Sequence, residues 1–149
     1  MKWIAIIAVS LAVVLYGLNA LNRAEVGLEQ REDGLYYKTG AETAFTGDGL
    51  VYHPNGEKAQ EGKIEAGKQT GPWKIWHANG QLHFESKHKN GEPEGTYTRW
   101  YDNGNKKIEM HYANGIPDGP RLEWHENGQK KKEGTYKDGK QDGLWTCWY

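Results

Sequence analysis

The chain has 149 residues, which fits a single domain, and nearly balanced charges, with 19 basic and 20 acidic side chains and a net charge of −1. Because contacts to phosphates require a concentrated basic surface, this balance argues against a nucleic-acid-binding protein. The single cysteine, Cys147, excludes an internal disulfide and a cysteine-rich metal site.

The N-terminal 21 residues differ from the rest of the chain. Lys2 precedes an almost uninterrupted apolar run, Trp3–Leu18, and this order is typical of an export signal. Extended to Leu21, the run is long enough to cross a bilayer. We therefore predict an apolar helix over residues 1–21, acting either as a cleaved signal peptide or as a membrane anchor formed by residues 3–21. A buried helix of the domain is the remaining alternative.

Residues 22–46 are predicted to be a linker followed by a cap. A short apolar run, Leu35–Tyr37, lies between two turn signals, Asp33-Gly34 and Thr39-Gly40. The segment then leads through Phe45 into the regular part of the chain. End units of repeat arrays are commonly atypical, so we interpret this stretch as a degenerate capping half-repeat.

From residue 47 onwards the sequence repeats every 24 residues. Glycine, an aromatic residue, an Asn-Gly pair and glutamate each recur at this spacing. The recurring glycines that open the units are Gly47, Gly71, Gly95, Gly119 and Gly143. A fixed period of this size indicates one small structural unit stacked on copies of itself. We predict units at residues 47–70, 71–94, 95–118 and 119–142, with a partial unit at 143–149.

Each unit has the pattern of a β-hairpin, because two short alternating runs flank an Asn-Gly pair. Pro54 before Asn55-Gly56 favours a type I turn, in which the glycine takes the left-handed conformation of a bulge. A second tight turn links one unit to the next. The glycines predicted to be structural at these turns are Gly56, Gly80, Gly104 and Gly128, and Gly67, Gly91, Gly115 and Gly139. The expected fold is all-β, an elongated single-layer antiparallel sheet of repeated hairpins.

A single bulge at the Asn-Gly turn predicts one apolar face and one polar face. The apolar face is expected to carry Leu50, Tyr52, Ile64, Trp76, Leu82, Phe84, Trp100, Ile108, Met110, Tyr112, Leu122, Trp124 and Tyr136. The other face is expected to carry His77, Gln81, His83, Glu85, Arg99, Asn105, Lys107 and Glu109, together with Trp73, Tyr97 and Trp145. A register one residue away would mix apolar and charged side chains on both faces.

An aromatic ladder is the candidate binding surface. Its members are Tyr52, Trp76, Trp100, Trp124 and Trp148. The ladder can serve packing alone, but a single-layer sheet cannot hide a whole aromatic face, and exposed apolar strips are places where partners bind. Free edge strands would allow a partner strand to add to the sheet as well.

The histidines and glutamates do not suggest a catalytic or metal site. His53, His77 and His125 share one repeat position, and equivalent residues should lie about 10 Å apart because neighbouring strands are about 4.8 Å apart. Zinc requires ligand nitrogens about 2 Å from one ion. The recurring glutamates, Glu61, Glu85, Glu109 and Glu133, are spaced equally widely. We expect each to accept a structural hydrogen bond from a backbone amide or an indole N–H, and we predict no enzymatic activity and no cofactor.

Two stretches resemble the MORN repeat. Gly134-Thr-Tyr-Lys-Asp-Gly139-Lys-Gln-Asp-Gly143-Leu-Trp145 resembles its general pattern, and Trp73-x-x-Trp76-x-x-Asn79-Gly80 is similar to its bacterial variant form. The resemblance covers residues 33–149. It departs from the pattern at Met110, where other units carry a small residue, and at Arg121, where others carry Trp or Tyr.

The resemblance implies an extended sheet of hairpins that serves as a scaffold, a membrane-lipid-associated protein or a partner-binding protein. Bacterial chains with this variant are also often labelled as antitoxins. Together with the apolar N-terminus, it favours a non-enzymatic scaffold that binds a protein partner at the cell envelope, exported to the periplasm or another extracytoplasmic location. The alternatives are an antitoxin-like component and a module that binds glycan, cell wall or lipid.

Overall fold

A computed structural model describes residues 27–149 of the chain. The secondary structure of these residues consists of β-strands, as predicted. The strands are β1 (Leu28–Gln30), β2 (Tyr36–Lys38), β3 (Gly47–Tyr52), β4 (Lys58–Glu65), β5 (Lys68–Trp76), β6 (Leu82–Lys89), β7 (Glu92–Pro93), β8 (Gly95–Trp100), β9 (Lys106–Ala113), β10 (Ile116–Trp124), β11 (Lys130–Lys137) and β12 (Lys140–Cys147). Within this range no helix is long and apolar enough to cross a membrane. The predicted N-terminal helix, as signal peptide or anchor, lies outside the described residues.

The strands from β3 to β12 form one antiparallel sheet in which, apart from β7, the strands follow one another in sequence order. The short strand β7 pairs with β6 beside β8. β1 and β2 form a separate two-stranded sheet. The predicted antiparallel sheet of consecutive hairpins is therefore confirmed.

The Asn-Gly turns have the geometry that the sequence predicts. In the first unit, the N–H of Gly56 donates to the carbonyl of His53 over 2.9 Å, and the N–H of His53 donates to Glu57 over 2.8 Å. Gly56 has a φ of 84°, which an L-residue with a side chain adopts only with strain. The same bonds recur around Gly80, Gly104 and Gly128.

The turns between units are two-residue turns with both central residues at positive φ. The glycines are Gly67, Gly91, Gly115 and Gly139, and the residues before them are Ala66, Asn90, Asn114 and Asp138. This pattern defines a type I′ turn, whose twist matches that of the flanking strands.

The asparagine of each Asn-Gly pair also links one unit to the next, a role that we did not predict. The Oδ1 of Asn79 accepts a bond from the N–H of Gln81 over 3.0 Å, and its Nδ2 donates to the carbonyl of Asp102 over 2.9 Å. Asn55 and Asn103 make the equivalent bonds. Asn127 keeps the turn bond but donates to the side chain of Gln129 instead of to a neighbouring unit.

The difference between Asn79 and Asn127 gives a test of this link. We expect Asn79→Ala to lower the free energy of unfolding by about 1 kcal/mol more than Asn127→Ala, because only the first substitution removes a hydrogen bond between units. Urea denaturation followed by circular dichroism measures both values. Equal losses in the two variants would show that the bond between units contributes nothing to stability.

A second bulge in every hairpin makes the predicted division of the two faces wrong. Trp76 pairs with Leu82, but Ile75 pairs with Phe84, so His83 is an extra residue in β6. The equivalent extra residues are Ala59, Lys107 and Lys131. An extra residue shifts the alternation of side chains by one position, so apolar residues that follow the bulge lie on the side opposite the aromatic ladder.

The correction affects eight predicted positions. Phe84, Ile108, Met110, Tyr112, Tyr136 and Ile64 lie with Trp73 and not with Trp76, while Glu85 and Glu109 lie on the side of Trp76. Trp73, Tyr97 and Trp145, which we predicted to lie on the more polar face, are on the side that carries the core. We call the side with Trp76, Trp100, Trp124 and Trp148 the indole face, and the side with Trp73 the capped face.

The core lies on the capped face of the first two units. Trp73 and Ile64 are 2% and 1% exposed, and Phe45 packs against them. The indole of Trp73 lies directly over the Cα of its cross-strand partner Gly62, since a Cβ there would be 1.8 Å from the ring. Small residue and large ring therefore form one packing unit.

Residues 27–46 cover this core from above. Tyr36 in β2 lies 6.2 Å from Trp73 between ring centroids, and Leu28 in β1 packs against the same cluster. The segment also keeps part of the repeat frame, because the N–H of Gly67 donates to the carbonyl of Phe45 as that of Gly91 donates to Gln69.

The two departures from the repeat pattern lie next to each other. Met110 and Arg121 are direct cross-strand partners, and the Nη1 of Arg121 is 3.7 Å from the sulfur of Met110. Arg121 places a slimmer guanidinium where other units have an aromatic ring, and its partner Met110 is larger than the glycine or serine that other units carry there. The two changes thus keep the local volume on the capped face.

Candidate functional site

The predicted aromatic ladder does lie on one face, and lysine side chains cover much of it. The ammonium groups of Lys58, Lys106 and Lys130 lie 5.3, 5.9 and 5.7 Å from the ring centroids of Trp76, Trp124 and Trp148. Leu82 replaces the lysine in the second unit. Trp76, Trp100 and Trp124 are half-buried, and Trp148 is 38% exposed. Cation–π contacts of this kind join the first unit to the second, the third to the fourth, and the fourth to the partial fifth unit.

The recurring glutamates accept from these lysines and not from the amides or indoles that we predicted. Glu61 and Glu133 lie 2.8 and 2.7 Å from Lys58 and Lys130, and Glu109 binds Lys106 in the same way. Glu85 pairs with Lys74 over 3.2 Å. Residues three apart in a regular strand point to opposite sides, so the Lys-x-x-Glu pairs exist only because of the second bulge.

The capped face carries an aromatic row that continues beyond the cap. Phe84 lies 5.0 Å from Tyr97, and Tyr97 lies 5.8 Å from Tyr112, between ring centroids. Tyr136 and Trp145 form a further pair at 5.2 Å. Trp145 lies over Gly134 as Trp73 lies over Gly62. The site that residues 28–45 cover at the first two units is therefore repeated further along the array, where these residues do not cover it.

A cluster of two histidines and two cations lies beside this row. The Nδ1 of His83 is 2.9 Å from the Nε2 of His77, and the Nη2 of Arg99 donates to the Nε2 of His83 over 3.2 Å. Burial, with His77, Arg99 and Lys107 nearby, lowers the pKa of His83 below its ordinary value of 6.5. In the described part of the chain, no group of three or more His, Cys, Asp or Glu side chains is placed to hold a metal ion.

The lowered histidine pKa values predict an acid-sensitive fold. Burial also lowers the pKa of His88. Because both groups bind protons more readily in the unfolded chain, their stabilising contribution is complete above about pH 6.5 and is lost as the pH falls below that value. We expect the free energy of unfolding, measured in urea between pH 7.5 and 5.5, to decrease with acidification.

Two variants serve as controls for this prediction. His83→Gln and His88→Asn remove the titrating groups, and each should flatten the pH profile. A wild-type profile that is flat or rises towards pH 5.5 would contradict the expected sign.

The hairpin frame agrees with a known family. A profile of the MORN repeat variant matches three segments, residues 69–90, 93–114 and 117–138. Residues 69–138 carry repeats of the MORN variant family. The matched segments fall within the second, third and fourth 24-residue units, and the MORN-variant array points to a repeat scaffold. In a search of curated proteins, no sequence matches the chain.

The sequence-based search for a site identified the ladder and missed the aromatic row on the capped face. One signal could have found it. Lys and Glu three residues apart occur in three of the four units, and such a pair can meet on a strand only across a bulge. Placing a bulge there would have moved the later apolar residues to the other side.

Proposed function

We propose that this MORN-variant protein is a non-enzymatic scaffold that docks a protein partner on the uncovered part of the capped face. The observation that carries the proposal is the repetition of the capped site. The first copy is filled by the chain's own aromatic hairpin, whereas Tyr97, Tyr112, Tyr136 and Trp145 continue the site without a covering segment among the described residues.

We place the scaffold at the cell envelope, outside the cytoplasm. The proposal rests on the basic residue and apolar run at the N-terminus. Fractionation of cells with detection of the native protein tests it, and recovery in the cytoplasmic fraction alone would contradict the location while leaving the docking proposal in place.

The glycan-binding alternative on the indole face has weaker support. Sugar rings stack on open aromatic faces, but lysines lie over three of the four ladder tryptophans. A titration with cell-wall fragments, followed by tryptophan fluorescence, distinguishes the two. A saturable shift that is abolished by Trp100→Ala would favour the glycan reading.

Site-specific photo-crosslinking in intact cells tests the docking face. A photo-reactive phenylalanine analogue at Tyr112 probes the capped face, and the same analogue at Leu122 probes the indole face. We expect a crosslinked protein adduct at Tyr112 and none at Leu122. Absence of any adduct at Tyr112, or adducts of equal yield at the two positions, would refute docking on the capped face.

A further inference from the structure

The bulge residues of the second and third units bring charged and titratable groups onto the capped face. The four equivalent positions hold Ala59, His83, Lys107 and Lys131. The repeat does not fix the residue at these positions, whereas its glycines, asparagines and glutamates recur. Bulges commonly redirect a side chain next to a functional site. His83 is directed towards Arg99, which lies on the capped face opposite Phe84.

The hydrogen bonds define the roles of the ring nitrogens. A guanidinium can only donate, so the Nε2 of His83 accepts from Arg99. The Nδ1 of His83 then carries the proton and donates to the Nε2 of His77. These two hydrogen bonds hold Arg99 in place through one of its five N–H groups and leave the other four for a ligand. Lys107 lies close by, with its ammonium 5.1 Å from the Tyr101 ring centroid.

The positive charges in this cluster lack acidic partners. Within residues 27–149, neither Arg99 nor Lys107 lies within 4 Å of a carboxylate, whereas the neighbouring Arg121 is paired with Glu123 over 2.7 Å. The lysines on the indole face are likewise paired with glutamates. An anion is therefore the ligand chemistry that would complement the cluster.

We propose that Arg99, Lys107 and His83 bind a side-chain carboxylate from an extended acidic segment of the protein partner. The inference rests on the proposed docking function. A planar carboxylate can accept two parallel N–H bonds from a guanidinium. Alternate side chains of an extended segment are about 7 Å apart. Tyr97 and Arg99 are likewise two residues apart in β8, so an apolar and an acidic side chain at alternate positions would reach the aromatic row and the guanidinium together.

The experiment uses the full chain and a synthetic acetylated peptide in which Leu and Glu alternate with Ser. Binding is measured by isothermal titration calorimetry and by shifts of the His83 side-chain NMR signals. We expect saturable binding that Arg99→Gln weakens by at least about ten-fold, which corresponds to the loss of a hydrogen bond to a charged group. Lys107→Gln should weaken it less. Lys63→Gln, a change of the same charge outside the cluster, is the matched control.

Three further measurements separate the alternatives. The same peptide with Gln in place of Glu should not bind. If inorganic phosphate or vesicles of anionic phospholipid bind in an Arg99-dependent way while the peptide does not, the carboxylate assignment is wrong. Peptide binding that is equal in wild type and Arg99→Gln also overturns it. Thermal unfolding of each variant shows whether the fold is retained.

The docking function and the carboxylate site fail in different ways. A photo-crosslinked partner at Tyr112 that persists unchanged in the Arg99→Gln variant leaves the docking function intact and removes the site. If the photo-reactive group at Tyr112 forms no adduct in a protein that is otherwise wild type, the docking function itself is refuted.

Discussion

Replacing Gly62 with alanine is expected to lower the free energy of unfolding by about 3 kcal/mol, at the upper end of the usual cost of overpacking a core. The new Cβ would lie 1.8 Å from the Cε3 of Trp73, so the indole has to move. Trp73 is only 2% exposed and is held between Ile64 and the covering hairpin. Any movement of the ring therefore disturbs the whole core. Denaturation by urea, followed by tryptophan fluorescence, measures the loss.

Gly134→Ala is the matched control. Its Cβ would approach Trp145 to 2.3 Å, but no hairpin covers Trp145 among the described residues, and the ring is only half-buried. The indole can swing away, so we expect a loss of about 1 kcal/mol, at the lower end of the same range. A loss below about 0.5 kcal/mol for Gly62→Ala would mean that the indole does not lie over Gly62 in solution.

A double variant tests whether ring and small residue act as one unit. One repeat further along the chain, Ser86 and Tyr97 occupy the positions of Gly62 and Trp73. We expect Gly62→Ser with Trp73→Tyr to be less destabilising than the sum of the two single changes, by about 1 kcal/mol. Residues in contact commonly show coupling of this size. Strict additivity would contradict the packing argument.

The sequence predicted the hairpins and their turns because those features are local. Pro54-Asn55-Gly56 restricts the backbone by itself, and the regular spacing of glycines fixes where each strand ends. No distant contact has to be known for these steps. The all-β fold and the frame of the turns followed directly.

The division of faces failed because the second bulge depends on contacts between strands. In the second unit, Leu82 replaces the lysine that signals the bulge in the other units, so only the pairing with Trp76 and Lys74 reveals the bulge there. The partnership of Met110 and Arg121 was hidden for the same reason. Each stood out as a departure from the repeat, but the register was needed to place one opposite the other.

The candidate site was missed because the division of the two faces was wrong. His83, Arg99 and Lys107 belong to two different units and were expected on the polar face. The second bulge turns Phe84 and Tyr112 to the same face, so the aromatic row lies next to the cluster. Their position on the capped face links the charged cluster to the surface on which we propose that a partner docks.

Removing the side chain that anchors the covering hairpin should have the second large effect. We expect Phe45→Ala to lower the free energy of unfolding by about 3 kcal/mol, in the range for a buried phenylalanine. Phe45 is 9% exposed and belongs to the same cluster as Ile64 and Trp73. Without the Phe45 side chain, the contact between Tyr36 and Trp73 also weakens, because Tyr36 and Phe45 belong to the same covering segment.

The change should be confined to one end of the array. Repeat units contact only their neighbours, so the units from residue 95 onwards should keep their structure. We expect increased amide hydrogen exchange in residues 28–45 and around Trp73, with unchanged protection in β9, β10 and β11. Phe45→Leu keeps most of the apolar volume and should cost about 1 kcal/mol.

The variant also connects stability with docking. Detaching the hairpin exposes Trp73 and gives the first two units the same uncovered aromatic surface as the later ones. If docking uses this surface, a photo-reactive group at Ile75, on the capped face of β5, should form an adduct in Phe45→Ala and not in the wild type. An adduct at Ile75 in neither protein, with the Tyr112 adduct retained, would show that the partner recognises features specific to the later units and not the aromatic site that the hairpin covers.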